Sequence, residues 1–131
     1  MIVVDTNVLA YLYLPGDQTP KVERLLARDP EWVAPVLWRS EFRNVLAGYL
    51  RRKVLSVDQA RNLQREAESL MAGGEHDVDS GTVLRLVAES DCSAYDCEFA
   101  ALAQKLEIKL VTADAKLLKA FPEHTVSLSA A

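Results

Sequence analysis

The sequence predicts an α/β fold, more narrowly a three-layer α/β/α sandwich with a central, mostly parallel sheet. Short apolar runs alternate with longer segments of helical period along the whole chain, which is typical of a parallel sheet covered by helices on both faces. The runs are continuously apolar, as expected for strands buried on both sides. With 131 residues, half of them hydrophobic, the chain has the size of one domain, so residues 1–131 are predicted to share a single core.

Each predicted element begins or ends at a recognisable signal. Strands are predicted at 1–4, 32–34, 76–79, 108–112 and 125–128. Helices are predicted at 6–14, 20–28, 36–53, 57–72, from 80 onwards, at 94–106 and at 115–121. Thr19, Ser56 and Ser93 are predicted N-caps, and the Gly73–Gly74 pair is predicted to end the fourth helix. The apolar face of the helix at 94–106 comprises Tyr95, Phe99, Leu102, Ala103 and Leu106.

Composition and charge exclude several classes of protein. The formal net charge is −4, which argues against a protein that coats nucleic acid nonspecifically, although it is compatible with an enzyme acting on nucleic acid. The N-terminal run lacks the features of a signal peptide, and no apolar run is long enough to span a bilayer. Cys92 and Cys97 lack the spacing of a zinc knuckle or a redox pair, so we expect reduced cysteines in a cytoplasmic protein.

Two of the predicted strands end in an aspartate. The first runs directly into Asp5, and the strand that ends at Thr112 and Ala113 runs into Asp114. Ligands of open α/β sheets bind outside the carboxyl ends of the strands, so both carboxylates are expected in one cleft. Two more acids, Glu41 and Asp96, are predicted on helices at the edge of an apolar stripe.

Four converging carboxylates favour a metal site. Two of them about 5 Å apart repel by roughly 3 kcal/mol at an effective dielectric of about 20, so a dication is needed to hold them together. A hard ion such as Mg²⁺ or Mn²⁺ suits oxygen ligands, whereas the sequence has no Cys/His cluster typical of zinc. Thr6, Asn7 and Thr112 flank the strand-end acids and are predicted to orient them or a bound water.

Each acid also has a simpler interpretation. Asp5 and Asp114 could cap the helices that follow them. Asp96 in a first helical turn is favoured by the helix dipole, and Glu41 could lie on a solvated face. These interpretations stay open for each residue taken alone, and only the set of four indicates a site.

At these residues the chain resembles the PIN domain, and more narrowly the toxin of VapBC-type toxin–antitoxin pairs. The resemblance covers essentially the whole chain and rests on four motifs: DTNVL at 5–9, SE at 40–41, SAYD at 93–96 with AALA at 100–103, and LVTAD at 110–114. Glu107 and Phe99 depart from the family pattern, which often has Gly and Tyr there, but neither belongs to the acidic set.

The resemblance implies a Mg²⁺- or Mn²⁺-dependent endoribonuclease. Asp5 and Asp96 match direct metal ligands of the family, Asp114 matches a ligand of a second ion or of a ligand water, and Glu41 matches an acid that binds or orients the metal through water. The implied chemistry is in-line attack of a metal-activated water on an RNA phosphodiester, leaving a 5′-phosphate and a 3′-hydroxyl. The implied partners are RNA, a VapB-type antitoxin and a second copy in a homodimer.

Basic residues near Glu41 suggest a path for the RNA. Arg39 and Arg43 flank this acid on the predicted helix at 36–53, and we expect them to contact phosphates. For the run at 51–53, a solvated helix C-terminus is an equal interpretation.

Four other readings remain. A response-regulator-type phosphotransfer domain has similar length, but its acceptor Asp is missing after the strand at 32–34. A haloacid-dehalogenase-type phosphatase would need a second Asp where Asn7 stands. A PIN-domain RNA-processing nuclease without an antitoxin, or a PIN-like scaffold that binds RNA or a partner without cleavage, also fits the chain.

Overall fold

A computed structural model describes all residues 1–131 and has five strands and seven helices. The strands are β1 (Ile2–Val4), β2 (Trp32–Pro35), β3 (Glu75–His76), β4 (Leu110–Thr112) and β5 (Thr125–Ser127). The helices are α1 (Thr6–Tyr13), α2 (Thr19–Arg28), α3 (Trp38–Arg51), α4 (Val57–Leu70), α5 (Ser80–Ala88), α6 (Ala94–Leu106) and α7 (Ala115–Ala120). The predicted alternation of strands and helices is confirmed. None of the helices is long and apolar enough to cross a membrane.

The five strands form one fully parallel sheet in the order β3-β2-β1-β4-β5. The chain builds outward from β1 through β2 to β3 and then returns to the other side of β1 to form β4. The strand order therefore reverses between β1 and β4, and ligands of such sheets bind at this switch point, outside the carboxyl ends of the strands. The predicted α/β/α architecture with a parallel sheet is confirmed.

The two central strands explain where the core lies. Every residue of β1 and of β4 is buried, since helices cover both faces of the sheet. Val4 pairs with Val111 in the parallel register, so the next residues, Asp5 and Thr112, leave the sheet side by side. The register thereby brings together two polar side chains that are 107 residues apart in the sequence.

Most predicted helix starts are confirmed at the level of single hydrogen bonds. Ser56 and Gln59 form a reciprocal capping box at the start of α4, and the Ser93 hydroxyl accepts from the Asp96 N–H at the start of α6. The predicted cap at Thr19 is wrong, because Gln18 is the N-cap of α2. The Thr19 hydroxyl instead donates to the Tyr11 carbonyl and ties α2 to the end of α1.

The short strand β3 is where the prediction and the structure differ most. The strand occupies Glu75–His76 instead of 76–79, and Asp79 is the N-cap of α5. Gly74 explains the position of β3: a Cβ atom at this residue would lie 2.4 Å from the Trp32 carbonyl oxygen, so only glycine allows the chain to approach β2 so closely.

Helix α6 ends in a residue with left-handed backbone geometry. Glu107 has a φ of 55°, and its N–H donates to the Gln104 carbonyl. Glycine adopts this geometry without strain, which gives a physical reason for the glycine common at this position in the family that the motifs resemble. Both Cys92 and Cys97 are buried, and no disulfide joins them.

Candidate metal centre

A pocket of about 550 Å³ opens at the carboxyl edge of the sheet, beside the switch point between β1 and β4. It contains all four acids that the sequence singled out. Its lining residues come from the start of α1, the first half of α3, the start of α6 and the end of β4: Asp5, Thr6, Asn7, Ala10, Leu37, Ser40, Glu41, Asn44, Val45, Tyr95, Asp96 and Asp114. The structure thus places residues from four distant parts of the chain around one cavity.

Two threonines organise the acids. The Thr112 hydroxyl donates to Asp5 Oδ2 over 2.6 Å and accepts from the Asp114 N–H over 3.0 Å, so it bridges the two strand-end aspartates. The Thr6 N–H donates to Asp5 Oδ1 over 2.8 Å, while its hydroxyl donates to Glu41 Oε1 over 2.7 Å. Both threonines are buried, which fixes their rotamers and hence the orientation of the carboxylates.

Asn7 adds a polar atom with no partner. Its Nδ2 lies 3.4 Å from Asp5 Oδ2, a long hydrogen bond, whereas its Oδ1 is buried and accepts no hydrogen bond from the protein. A buried acceptor without a donor costs free energy, so this oxygen is a natural partner for a cation or for a water bound to one.

Both strand-end aspartates also cap helices. Asp5 is the N-cap of α1, and Asp114 is the N-cap of α7 and accepts from the Lys116 N–H over 2.8 Å. The capping interpretation is therefore correct for Asp5 and Asp114, and both residues also line the pocket. Capping uses one oxygen of Asp114 and leaves the other available.

Burial and mutual repulsion raise the pKa values of three of the acids. Burial raises the pKa of Asp5 to about 6, against the lowering effect of its hydrogen bonds, and the charges of Asp96 and Glu41 contribute to the rise. Burial also raises the pKa of Glu41 and of Asp96, with the neighbouring carboxylates adding to it. None of the four ion pairs in the structure involves these acids, and the Lys116 charge, which lowers the pKa of Asp96, offsets only part of the repulsion, so the pocket has a net negative charge.

The donor chemistry fits a hard divalent cation, although the acids do not converge on one point. No three Asp, Glu, His or Cys side chains anywhere in the structure are close enough together to form a metal-ligand set. Carboxylate oxygens, an amide oxygen and space for water are the ligands that Mg²⁺ and Mn²⁺ prefer.

The two arginines predicted to contact RNA do not line this pocket. The Arg39 guanidinium donates to both oxygens of Glu75, over 2.6 and 2.7 Å, and to Glu68 Oε1 over 3.1 Å. Arg43 is exposed and lines a separate groove between α3 and α4. The expectation for Arg39 is not supported by its position, because its donors are engaged with β3 and α4.

Sequence reasoning assigned three polar side chains of the pocket no place in the site. Ser40 and Asn44 are exposed on α3, on either side of Glu41. Ser40 belongs to the SE motif, whereas no pattern in the sequence distinguishes Asn44 from other surface residues. Tyr95 was assigned to the apolar core face of α6, which is wrong, since 62% of its surface is exposed. Its place directly before Asp96, in the first helical turn, is the signal that could have shown it to lie at the edge of the core.

Comparison with known proteins agrees with this fold. The family model of the PIN domain matches residues 2–122. The chain therefore belongs to the PIN domain family.

One relative and two solved structures resemble the chain over nearly all of its length. The chain is 32% identical over 126 residues to Ribonuclease VapC3 of Pyrobaculum aerophilum, a match that covers 92% of this chain and 95% of the relative. The fold is also that of FitAcB from Neisseria gonorrhoeae, with a TM-score of 0.77, 18% identity, and 98% and 99% of the two chains covered. A chain of a toxin-antitoxin complex from Klebsiella pneumoniae aligns with a TM-score of 0.71 and 18% identity over 98% of each chain.

Proposed function

We propose that this protein is a metal-dependent endoribonuclease that hydrolyses RNA phosphodiester bonds and leaves a 5′-phosphate and a 3′-hydroxyl. The observation that carries the proposal is the pocket that Asp5, Glu41, Asp96 and Asp114 line together, with no salt bridge to any of them. The similarity to a protein named Ribonuclease VapC3 supports the same activity.

The four acids have different surroundings, and these suggest different roles. Asp5 is the most buried and the most firmly oriented, so we assign it together with Asp96 as a direct ligand of Mg²⁺ or Mn²⁺. Asp114 is also engaged as a helix cap, which suits a more peripheral role at a second ion or a bound water. Glu41 is held by the Thr6 hydroxyl at the pocket wall and orients a water.

A bound dication lowers the pKa of a ligand water and neutralises charge that develops on the phosphate. The protein contributes the rest of the arrangement. Thr6 and Thr112 hold the carboxylates in place, and the net negative charge of the pocket favours a dication. No His or Lys lines the pocket as an alternative general base, in agreement with a reaction in which the carboxylates act on water.

We further propose that the protein is the toxin of a toxin–antitoxin pair and forms a homodimer in the cytoplasm. The toxin-antitoxin complex from Klebsiella pneumoniae, which shares the fold, supports the toxin role. Growth arrest on expression of the protein alone, relieved by co-expression of the neighbouring small gene, would support the toxin role. Light scattering of the purified protein determines whether it is a dimer.

Cleavage of a labelled single-stranded RNA tests the proposed activity. With Mg²⁺ or Mn²⁺ the wild-type protein should cut the RNA, and EDTA should abolish cleavage. Asp5→Asn and Asp96→Asn should each lower kcat by about 100-fold or more, because each removes a direct ligand. The ends of the products, identified by mass spectrometry, should be a 5′-phosphate and a 3′-hydroxyl.

The matched control is Asp58→Asn, which neutralises an exposed acid on α4 outside the pocket. Its activity should equal that of the wild type. Cleavage that persists in EDTA and in both aspartate variants contradicts the carboxylate–metal mechanism. Tight RNA binding without any cleavage identifies a non-catalytic PIN-like scaffold instead.

A further inference from the structure

One aromatic side chain differs from all the others in its exposure. The chain has nine aromatic residues, and Tyr95 is the only one classed as exposed, with 62% of its surface accessible. The others are buried or half-buried. An exposed aromatic ring of this kind contributes little to the core, so the fold alone does not account for it.

The position of Tyr95 ties it to the acid pocket. It lies in the first turn of α6, directly before Asp96, and its side chain lines the same cavity as the four acids. The Tyr95 hydroxyl makes no hydrogen bond within the protein, so no contact of the fold requires a tyrosine here. A flat ring therefore borders the carboxylates and faces solvent.

Exposed apolar side chains also line a second pocket. Val36 and Leu84, which are 49% and 64% exposed, line it together with Glu98. Val36 is followed in the sequence by Leu37, which lines the acid pocket.

We propose that Tyr95 stacks against an unpaired base of the RNA next to the scissile phosphate, which makes single-stranded RNA the substrate. This inference rests on the proposed function. Nucleotides alternate between a charged phosphate and a flat apolar base, and the pocket presents the matching pair of features: carboxylates that hold a dication for the phosphate, and a ring for the base.

The stacking partner must be unpaired. A base within a duplex has both faces covered by its neighbours, so it cannot place one of them on a side chain without leaving the stack. Stacking on an aromatic ring tolerates any base, which predicts cleavage that depends on strandedness more than on the identity of this base.

Binding of a short fluorescein-labelled single-stranded RNA tests the inference. Anisotropy measurements in Mg²⁺ use the Asp5→Asn protein, in which cleavage is suppressed. Tyr95→Ala in this background should raise Kd roughly 5- to 100-fold, the range expected for the loss of one stacked base. Tyr95→Phe keeps the ring and should change Kd by less than about twofold.

The matched control is Tyr49→Ala, which removes a half-buried tyrosine on α3 that does not line the pocket. This change should leave Kd unaltered. An RNA of the same sequence held in a duplex should bind weakly to the Asp5→Asn protein, and Tyr95→Ala should then make no further difference.

Abasic nucleotides identify the stacked base directly. When each base of the RNA is removed in turn, one position should weaken binding as much as Tyr95→Ala does, and the two changes together should cost no more than either alone. An unchanged Kd for Tyr95→Ala overturns the inference. The inference also fails if the loss of affinity caused by Tyr95→Ala adds to that of the abasic nucleotide at every position of the RNA. The same holds if Tyr95→Ala leaves RNA binding intact and instead weakens association with a protein partner.

This experiment also separates the inference from the proposed function. If the wild-type protein cleaves RNA and Tyr95→Ala changes neither Kd nor KM, the stacking role is wrong and the nuclease assignment stands. If the protein does not cleave but the abasic coupling is observed, the nuclease assignment is wrong and the stacking role stands.

Discussion

Helix α3 takes part in two clusters of acidic side chains that differ in how their charge is balanced. Arg39 in its first turn bridges Glu68 on α4 and Glu75 on β3. Only two residues further on, Glu41 faces a pocket that contains three more acids and no ion pair. The same helix therefore supplies a cation to one cluster and none to the other.

The pKa values move in opposite directions in the two clusters. The Arg39 guanidinium and the Trp38 Nε1–H, which donates to Glu75 over 2.9 Å, hold the pKa of Glu75 below its usual range. Burial and like charges raise the pKa of Asp5, Glu41 and Asp96. The first cluster is a structural clamp between α3, α4 and β3. The second keeps a negative charge that destabilises the fold, which is typical of a functional site.

The largest expected effect comes from neutralising Asp5. Moving its pKa from 3.8 to about 6 corresponds to a penalty on the order of 3 kcal/mol at neutral pH. Asp5→Asn should therefore raise the free energy of unfolding in EDTA by up to about 3 kcal/mol, as measured by urea denaturation, while activity is lost. A less stable variant would show that the ionised carboxylate is not strained.

The next largest effect is expected for Thr112→Val. The hydroxyl is fully buried and serves both Asp5 and Asp114, so its loss leaves an acceptor and a donor without partners. We expect the variant to lose about 2 kcal/mol of stability. Activity should also fall, because Asp5 is no longer oriented. Thermal unfolding and the RNA cleavage rate check the two effects. Wild-type values for both would show that the Thr112 hydroxyl supports neither the fold nor the site.

The pH dependence of stability should distinguish the clusters by sign. The folded pKa of Asp5 is above its unfolded value, so the stability linked to its protonation is present in acid and is lost as pH rises through about 6. In EDTA the wild type should gain about 1 kcal/mol on going from pH 7 to pH 5, and Asp5→Asn should not show this gain. An equal gain in both proteins would assign it to other groups.

The smallest effect is expected for Glu75→Gln in the other cluster. The Glu75 carboxylate is partly exposed and paired with Arg39, so its neutralisation should cost about 1 kcal/mol or less, and added salt should reduce the difference. The pKa of Glu75 is lowered, so its contribution is present at neutral pH and is lost in acid, the reverse of Asp5. Urea denaturation at a series of salt concentrations measures the stability difference between Glu75→Gln and the wild type. A gain in stability would show that the Glu75 carboxylate destabilises the fold as Asp5 does, so the two clusters would not differ.

The sequence predicted the acid pocket better than the cluster of Arg39, Glu68 and Glu75, and the reason is physical. Strand ends converge by topology, so Asp5 and Asp114 could be placed together without knowledge of any side-chain contact. Glu41 and Asp96 followed from helical period. The ion pairs of Arg39 could not be predicted, because its partners Glu68 and Glu75 are 29 and 36 residues away, beyond the spacing rules of a single helix.

Tyr95 and β3 were mispredicted for related reasons. Phe99 and Leu102, which share the predicted face of α6 with Tyr95, are buried, whereas Tyr95 in the first turn is exposed, so the helical period alone did not show where this face leaves the core. The position of β3 depends on the close approach of Gly74 to the Trp32 carbonyl, a contact that local pattern does not show.

Binding of Mn²⁺ tests most directly the claim that the cluster of Asp5, Glu41, Asp96 and Asp114 is a metal site. Thermal unfolding at neutral pH, with and without excess Mn²⁺, compares the wild type with one variant from each cluster. The metal should raise the Tm of the wild type and of Glu75→Gln by the same amount, and should leave the Tm of Asp96→Asn unchanged. An equal rise in Asp96→Asn, or no rise in the wild type, would contradict the account.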